Sequence, residues 1–171
     1  MATDAFSPEV SMYKYIANIF ELFCKNKRVI DRKIRNCASN NFFMSKQIIQ
    51  TDKVPAPIGP YSQAVIANGF LFASGQIAFN PSTGELVTES IEAETKQVME
   101  NIKAILAEST LSFAHIVKTT IFLSDMQLFA QVNEIYGSYF TADFPARETV
   151  AVKTLPRNVN VEISVTAVVN L

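Results

Sequence analysis

Between residues 159 and 169 the chain alternates. Val159, Val161, Ile163, Val165, Ala167 and Val169 fall on one side, and Asn160, Glu162, Ser164 and Thr166 fall between them. A side-chain period of two belongs to a β-strand, and slipping the register by one residue would turn the whole apolar set toward water. A strand of this length with one greasy face cannot stand alone. It requires neighbouring strands and a layer packed against the apolar side, so the rest of the chain is read for those parts.

Residues 47–50 form a short strand candidate, followed by the turn-rich VPAPIGP at 54–60. Strands are expected at 61–67 and 70–74, joined by Asn68-Gly69, the dipeptide that best tolerates a two-residue hairpin turn. A loop containing Asn80-Pro81 leads to a helix over 91–108, whose Ile91, Val98, Ile102, Ile105 and Leu106 share one face. Residues 116–123 read as a buried strand. Ser124 or Asp125 then caps a second helix with a wide apolar face from Leu128 to Phe140, and a strand at 148–153 precedes the last one. The order is βββαβαββ, an α+β domain with a mixed sheet. Two helices cover one face of such a sheet, so the other needs a loop or a partner subunit.

Residue types narrow the chemistry. Both cysteines, Cys24 and Cys37, lie before residue 44, and His115 is the only histidine. Thiol nucleophiles, zinc-thiolate sites and multi-histidine metal sites are thereby excluded from the main domain, which is expected to work without a metal or organic cofactor. Residues 1–43 carry seven Lys or Arg against four acids, whereas the remainder carries eight against twelve. An acidic main domain is poorly matched to a phosphate backbone. No apolar run is long enough to cross a membrane, so a soluble protein is expected.

Residues 1–43 read as a separate basic extension. Ser7-Pro8 starts a short amphipathic helix carrying Ile16, Ile19, Phe20 and Phe23, and the polar NCASNN at 36–41 leads to Met44, which looks like a fresh N-terminus. A cytoplasmic protein is expected. A mitochondrial or other organellar address is the alternative if the extension acts as a leader, although its four acids are more than leaders usually carry.

Several polar residues are candidates for chemistry, each with a plain alternative. Glu162 points away from the core, as a catalytic acid or as part of a solvated face. Arg147 precedes the strand at 148–153, as an anion anchor or as a surface partner of Glu148. Adjacent strands would allow the two to share a sheet face. Tyr61 follows Gly59-Pro60, Ser74 ends a strand, and Asn133 lies on the second helix; a half-buried aromatic, a turn residue and an exposed amide are the alternatives. The five glycines form no phosphate-cradling loop.

Seven segments in the same order, IGPYSQAV (58–65), FASGQIAFNPSTGEL (72–86), ENIKAIL (100–106), VKTTIFLSDM (117–126), FAQVNEIY (129–136), FPARETV (144–150) and VEISVTAVV (161–169), resemble the RidA/YjgF family over nearly all of residues 46–171. The resemblance implies a chorismate-mutase-like fold assembled as a homotrimer with clefts between subunits. It implies hydrolytic deamination of 2-iminobutanoate and 2-iminopropanoate to 2-oxo acids and ammonia. By the same resemblance Arg147 binds the substrate carboxylate and Glu162 orients the water. Tyr61, Ser74 and Asn133 match further family positions, and Thr149 stands where some members carry cysteine, arguing against a thiol-dependent step.

That chemistry suits the residue types. A guanidinium grips a carboxylate through two parallel charge-assisted hydrogen bonds. A protonated imine is already electrophilic and needs chiefly a positioned water, which a glutamate can hold and deprotonate. The rivals are an RNA-directed endoribonuclease, since relatives carry that label, and a noncatalytic carboxylate-binding trimer. The acidic domain and the single histidine weigh against the first; retention of Glu162 weighs against the second.

Overall fold

The structure, a computed structural model, describes residues 46–169. The basic extension, its amphipathic helix and the boundary at Met44 lie outside the described residues. Six strands form one sheet: β1 (Gln47–Ile49), β2 (Ala64–Ala67), β3 (Phe70–Gln76), β6 (Ile116–Leu123), β7 (Ala146–Ala151) and β8 (Val161–Val168). Their spatial order is β1-β2-β3-β8-β6-β7. All neighbours are antiparallel except β6 and β7, which run parallel and are joined through a helix. A small hairpin of β4 (Phe79–Asn80) and β5 (Glu85–Leu86) stands apart.

The alternating strand is β8, and it lies inside the sheet between β3 and β6. Its odd-numbered residues from Val161 to Ala167 are buried, whereas Glu162, Ser164 and Thr166 are only partly covered. Helices α1 (Ile91–Glu108) and α2 (Phe129–Gly137) form the layer over the apolar side. Val98, Met99, Ile102, Ile105 and Leu106 of α1 pack there with Leu71, Ile121, Leu123 and Ile163 from the strands. Helix α1 begins where its chemistry dictates: the Ser90 hydroxyl accepts from Ala93 N at 3.1 Å, and Glu92 and Glu94 occupy the first turn. No helix among the described residues is long and apolar enough to cross a membrane.

The Asn68-Gly69 turn forms as expected, with φ of 51° and 79°, the left-handed geometry that Asn and Gly tolerate. Four readings are corrected. The strand expected at 61–67 begins only at Ala64, because Tyr61 N donates to Gly59 O at 2.8 Å and holds the preceding residues in a turn. Strand β3 runs two residues past 74 through a bulge, Ser74 and Gly75 together facing the single Ser164. The second helix is shorter than its apolar pattern: Asp125 caps a 3-10 turn at Met126–Leu128, and Tyr139 and Phe140 pack beyond the helix end. Finally, β7 begins at Ala146, so Arg147 lies within the strand, and β6 separates β7 from β8.

Candidate active site

Pairing across β6 decides which side chains can meet. Arg147 pairs with Thr119, which pairs with Val165; all three sit on the face covered by the helices. Glu162 pairs with Phe122, which pairs with Val150, on the opposite face. Directly paired residues share a face. Arg147 and Glu162 of one chain are therefore on opposite sides of the sheet, so the shared face that adjacent strands would have allowed does not form.

The six candidate residues sort into two groups. The first surrounds Arg147. Its Nη1 donates to Asn133 Oδ1 at 2.7 Å, and its guanidinium lies over the rings of Tyr136 and Phe129, 5.1 and 5.6 Å from their centroids. Tyr136 is buried, with its hydroxyl donating to Thr119 Oγ1 at 3.1 Å; burial pushes the phenol pKa up, against smaller lowering effects from Thr119 and Arg147. Among the described residues no carboxylate lies within salt-bridge distance of Arg147. Its neighbour Glu148 instead pairs with Lys118 and accepts from Thr120 Oγ1 at 2.7 Å, which lowers its pKa. The guanidinium is thus fixed by stacking and one amide, with donors left over for an anion. It opens onto a pocket of about 410 Å³ walled by Tyr136, Phe144 and Pro145. Thr149, two residues along the same strand face, has a buried Oγ1 with no hydrogen-bond partner.

The second group gathers at the β3 bulge. The Glu162 carboxylate fills the space beside Gly75 where a side chain would be; a Cβ there would lie 2.7 Å from Glu162 Cδ. Partial burial raises the Glu162 pKa above its ordinary value of 4.5. Ser74 Oγ donates to Ser62 O at 2.7 Å, tying the bulge to the turn that carries Tyr61. Tyr61 and Ser74 line one pocket together, and Tyr61 and Gly75 line another. Gln63 braces this turn from within: its Oε1 accepts from Thr51 N at 2.7 Å and its Nε2 donates to Thr51 O and Pro55 O, both at 3.0 Å.

Sequence reasoning missed Gly75, the aromatic cradle of Arg147, and Glu94. Gly75 had a signal, since a glycine inside a strand pattern marks a bulge or a close approach. Glu94 is fully buried. Its carboxylate accepts from Asn160 N (2.6 Å), Asn160 Nδ2 (2.9 Å) and Val161 N (3.2 Å), pinning the start of β8 two residues before Glu162. His115 caps its own turn, its Nδ1 accepting from Ser112 N at 3.2 Å. Among the described residues no group of His, Cys, Asp or Glu is arranged to hold a metal ion.

This geometry has known relatives. A RutC family protein of Synechocystis is 51% identical over 127 residues, covering 73% of this chain and 98% of that one. The 2-iminobutanoate/2-iminopropanoate deaminase of Homo sapiens is 42% identical over 123 residues, covering 72% and 90%. The crystal structure of a Rid-family protein from Yersinia pestis superposes with a TM-score of 0.71 at 50% identity, covering 72% of this chain and 99% of that one. The family pattern described as Endoribonuclease L-PSP matches residues 51–169, nearly the whole of the sheet, both helices and all six candidate residues. With the fold and half of the aligned residues held in common, the chain belongs to that family, the RidA/YjgF proteins.

Proposed function

We propose that the protein hydrolyses reactive 2-imino acids, 2-iminobutanoate and 2-iminopropanoate among them, to 2-oxo acids and ammonia, at a site made by two copies of the chain. The supporting observation is the division of labour across the sheet. One face presents a guanidinium with unused donors, and the other presents a carboxylate whose proton affinity burial has raised. A single molecule cannot bring these to one small substrate, because the sheet itself lies between them. A copy docked against the Glu162 face can bring its own Arg147 there. That face carries the exposed apolar residues Ile48, Phe70, Phe72 and Val150, a patch that favours cover by protein. A homotrimer closes such contacts by symmetry.

In the proposed site Arg147 of one copy holds the substrate carboxylate, with Asn133 and Thr149 beside it. Glu162 of the other holds a water against the imine carbon and takes its proton as the C–O bond forms. Collapse of the carbinolamine then breaks the C–N bond as the C=O forms, with Glu162 returning its proton to nitrogen and the hydroxyl proton passing to the departing ammonia, which leaves as ammonium. Tyr61 and Ser74 shape the near wall. The human relative's activity supports this reading. The test follows loss of imine made in place by a dehydratase. The wild type should accelerate it; Arg147→Ala should lose about 100-fold in kcat/KM, the worth of two charge-assisted hydrogen bonds, and Glu162→Gln should lose kcat. A wild-type enzyme without effect on imine lifetime would overturn the function, and an unimpaired Arg147→Ala would overturn the anchor.

A further inference from the structure

The two most exposed large apolar side chains among the described residues are Ile58 and Phe144, at 81% and 67% of full exposure. Apolar residues scattered singly over a surface are ordinary. These two are not scattered, because each stands at the mouth of one half of the divided site. Ile58 lies on the turn that leads into Tyr61, beside a cavity that Tyr61 and Gly75 also wall. Phe144 walls the pocket of about 410 Å³ onto which Arg147 opens, together with Tyr136 and Pro145.

Both are held out by a defined backbone. Ile58 lies between Pro57 and Gly59-Pro60, where the fixed proline φ angles leave the chain little freedom. Tyr61 N closes the turn on Gly59 O at 2.8 Å, and the Tyr61 ring lies back over Gly59, 3.5 Å from where a Cβ would stand. Gln63 fastens the base of the same turn by donating to Pro55 O at 3.0 Å. On the other side of the site, Asp143 takes left-handed backbone with φ of 51° immediately before Phe144, and Pro145 follows it. Phe144 rests against Phe140 with ring centroids 6.0 Å apart, which leaves most of its ring facing outward.

We infer that Ile58 of one copy seats against Phe144 of the next, and that this contact closes the rim of the shared site around the bound imino acid. The contact rests on the two-copy deaminase reading and names what joins the two halves. Bringing Arg147 of one copy to Glu162 of another carries the Phe144 pocket to the Tyr61 turn, since each flanks its own charged group. The apolar tip of the turn then covers Phe144 and Pro145, giving the Arg147 pocket the wall that a single chain leaves open. Apolar contacts around a charged centre act by excluding water. With bulk water kept out, the attraction between guanidinium and substrate carboxylate works at a lower effective dielectric and strengthens. Ile58 and Phe144 are thus positioning residues, touching each other rather than the reacting atoms.

The first test reads the contact without any substrate. Ile58→Cys and Phe144→Cys are introduced together into a full-length chain carrying Cys24→Ser and Cys37→Ser, which remove both native thiols, and a short bis-maleimide is added. Both positions are exposed in the single chain, so its fold tolerates the changes. Denaturing gels should show covalently linked pairs and trios of chains, with position 58 of one joined to position 144 of another. Either new cysteine alone should give single chains. Linkage within one chain, linkage of 58 to 58, or no linkage at all would overturn the contact. The second test follows imine loss. Ile58→Ser and Phe144→Ser should each raise KM about tenfold with kcat little changed. The double variant should lose no more than either single one, because both remove the same contact; a combined loss of about 100-fold would show two side chains acting apart and would overturn it. Linkage between chains in a protein that leaves imines untouched would keep the contact and sink the deaminase reading. Imine hydrolysis without that linkage would do the reverse.

Discussion

The carboxylate of Glu162 occupies the space that a side chain at position 75 would need. The bulge in β3 places Gly75 there, with Ser74 and Gly75 facing the single Ser164, so the backbone bends to admit the acid. Gly75 has ordinary backbone angles, since only Gly69 and Gly84 among the described glycines have positive φ. Its value lies in the missing Cβ. Gly75→Ala should therefore fold, because the atoms it meets are the far end of a flexible side chain, but it should push the carboxylate off its position. A displacement of about 1 Å at a reacting group costs on the order of 100-fold, so kcat for imine hydrolysis should fall by roughly that factor with Tm nearly unchanged. Equal losses of kcat and of stability would mean that Gly75 serves the sheet and not the site.

Burial raises the Glu162 pKa, and this has two consequences of defined sign. A base must be ionised to accept the water's proton, so kcat/KM should fall as pH drops through a value above 4.5, and Glu162→Gln should abolish that limb. For stability, the folded state binds the proton more tightly than the unfolded chain. Ionisation therefore disfavours the fold: stability declines as pH rises from the ordinary glutamate range through the raised pKa. Glu162→Gln should raise Tm relative to wild type at pH 7, and the gain should vanish at pH 4. Differential scanning of both proteins across that range checks the sign.

Much of this fold is legible in the sequence because its elements obey simple periods. The alternation at 159–169 predicts β8, the 3.6-residue pattern predicts α1, and Asn68-Gly69 predicts the β2–β3 turn; all three are present. Strand order is not local information. Nothing in 146–151 or 161–168 says that β6 lies between them or in what register it pairs, and that register turns Arg147 and Glu162 to opposite faces. The β4–β5 hairpin is equally silent, since two-residue strands leave no period to detect. Apolar pattern also overstates helices: Tyr139 and Phe140 continue the face of α2 but reach the core after the helix has ended. Gly75 and Glu94 act through residues distant in the chain, so a single sequence records their identities and not their partners.

Glu94 should govern stability more than any other exposed-looking charge in the sequence. It sits in the first turn of α1 yet is fully buried, where it satisfies two backbone N–H groups and the Asn160 amide at the entrance to β8. Glu94→Ala leaves those donors without partners and should cost about 3 kcal/mol, whereas Glu94→Gln keeps one acceptor and should cost less. Urea unfolding at pH 7 measures both. Because Glu162 lies two residues beyond this anchor, Glu94→Gln should also lower kcat modestly; a change in KM alone would separate the anchor from the reacting carboxylate.

The arrangement of Arg147 and Glu162 on opposite faces makes a prediction that a single-chain site cannot satisfy. Arg147→Ala and Glu162→Gln should each be strongly impaired alone, because every site lacks one member of the pair. If each site takes Arg147 from one copy and Glu162 from another, subunit exchange between the two variants restores some sites. Random mixing of equal amounts in a closed ring gives about one quarter of the sites both native residues, whatever the number of subunits. Activity should thus climb toward about one quarter of wild type after the variants are unfolded and refolded together, and not when they are mixed folded without exchange. Refolding together without recovery, under conditions where tagged subunits demonstrably mix, would place both residues in the same copy and contradict the separation across the sheet. Recovery would also identify the partner of the Glu162 face, since only a second copy of this chain supplies the missing guanidinium.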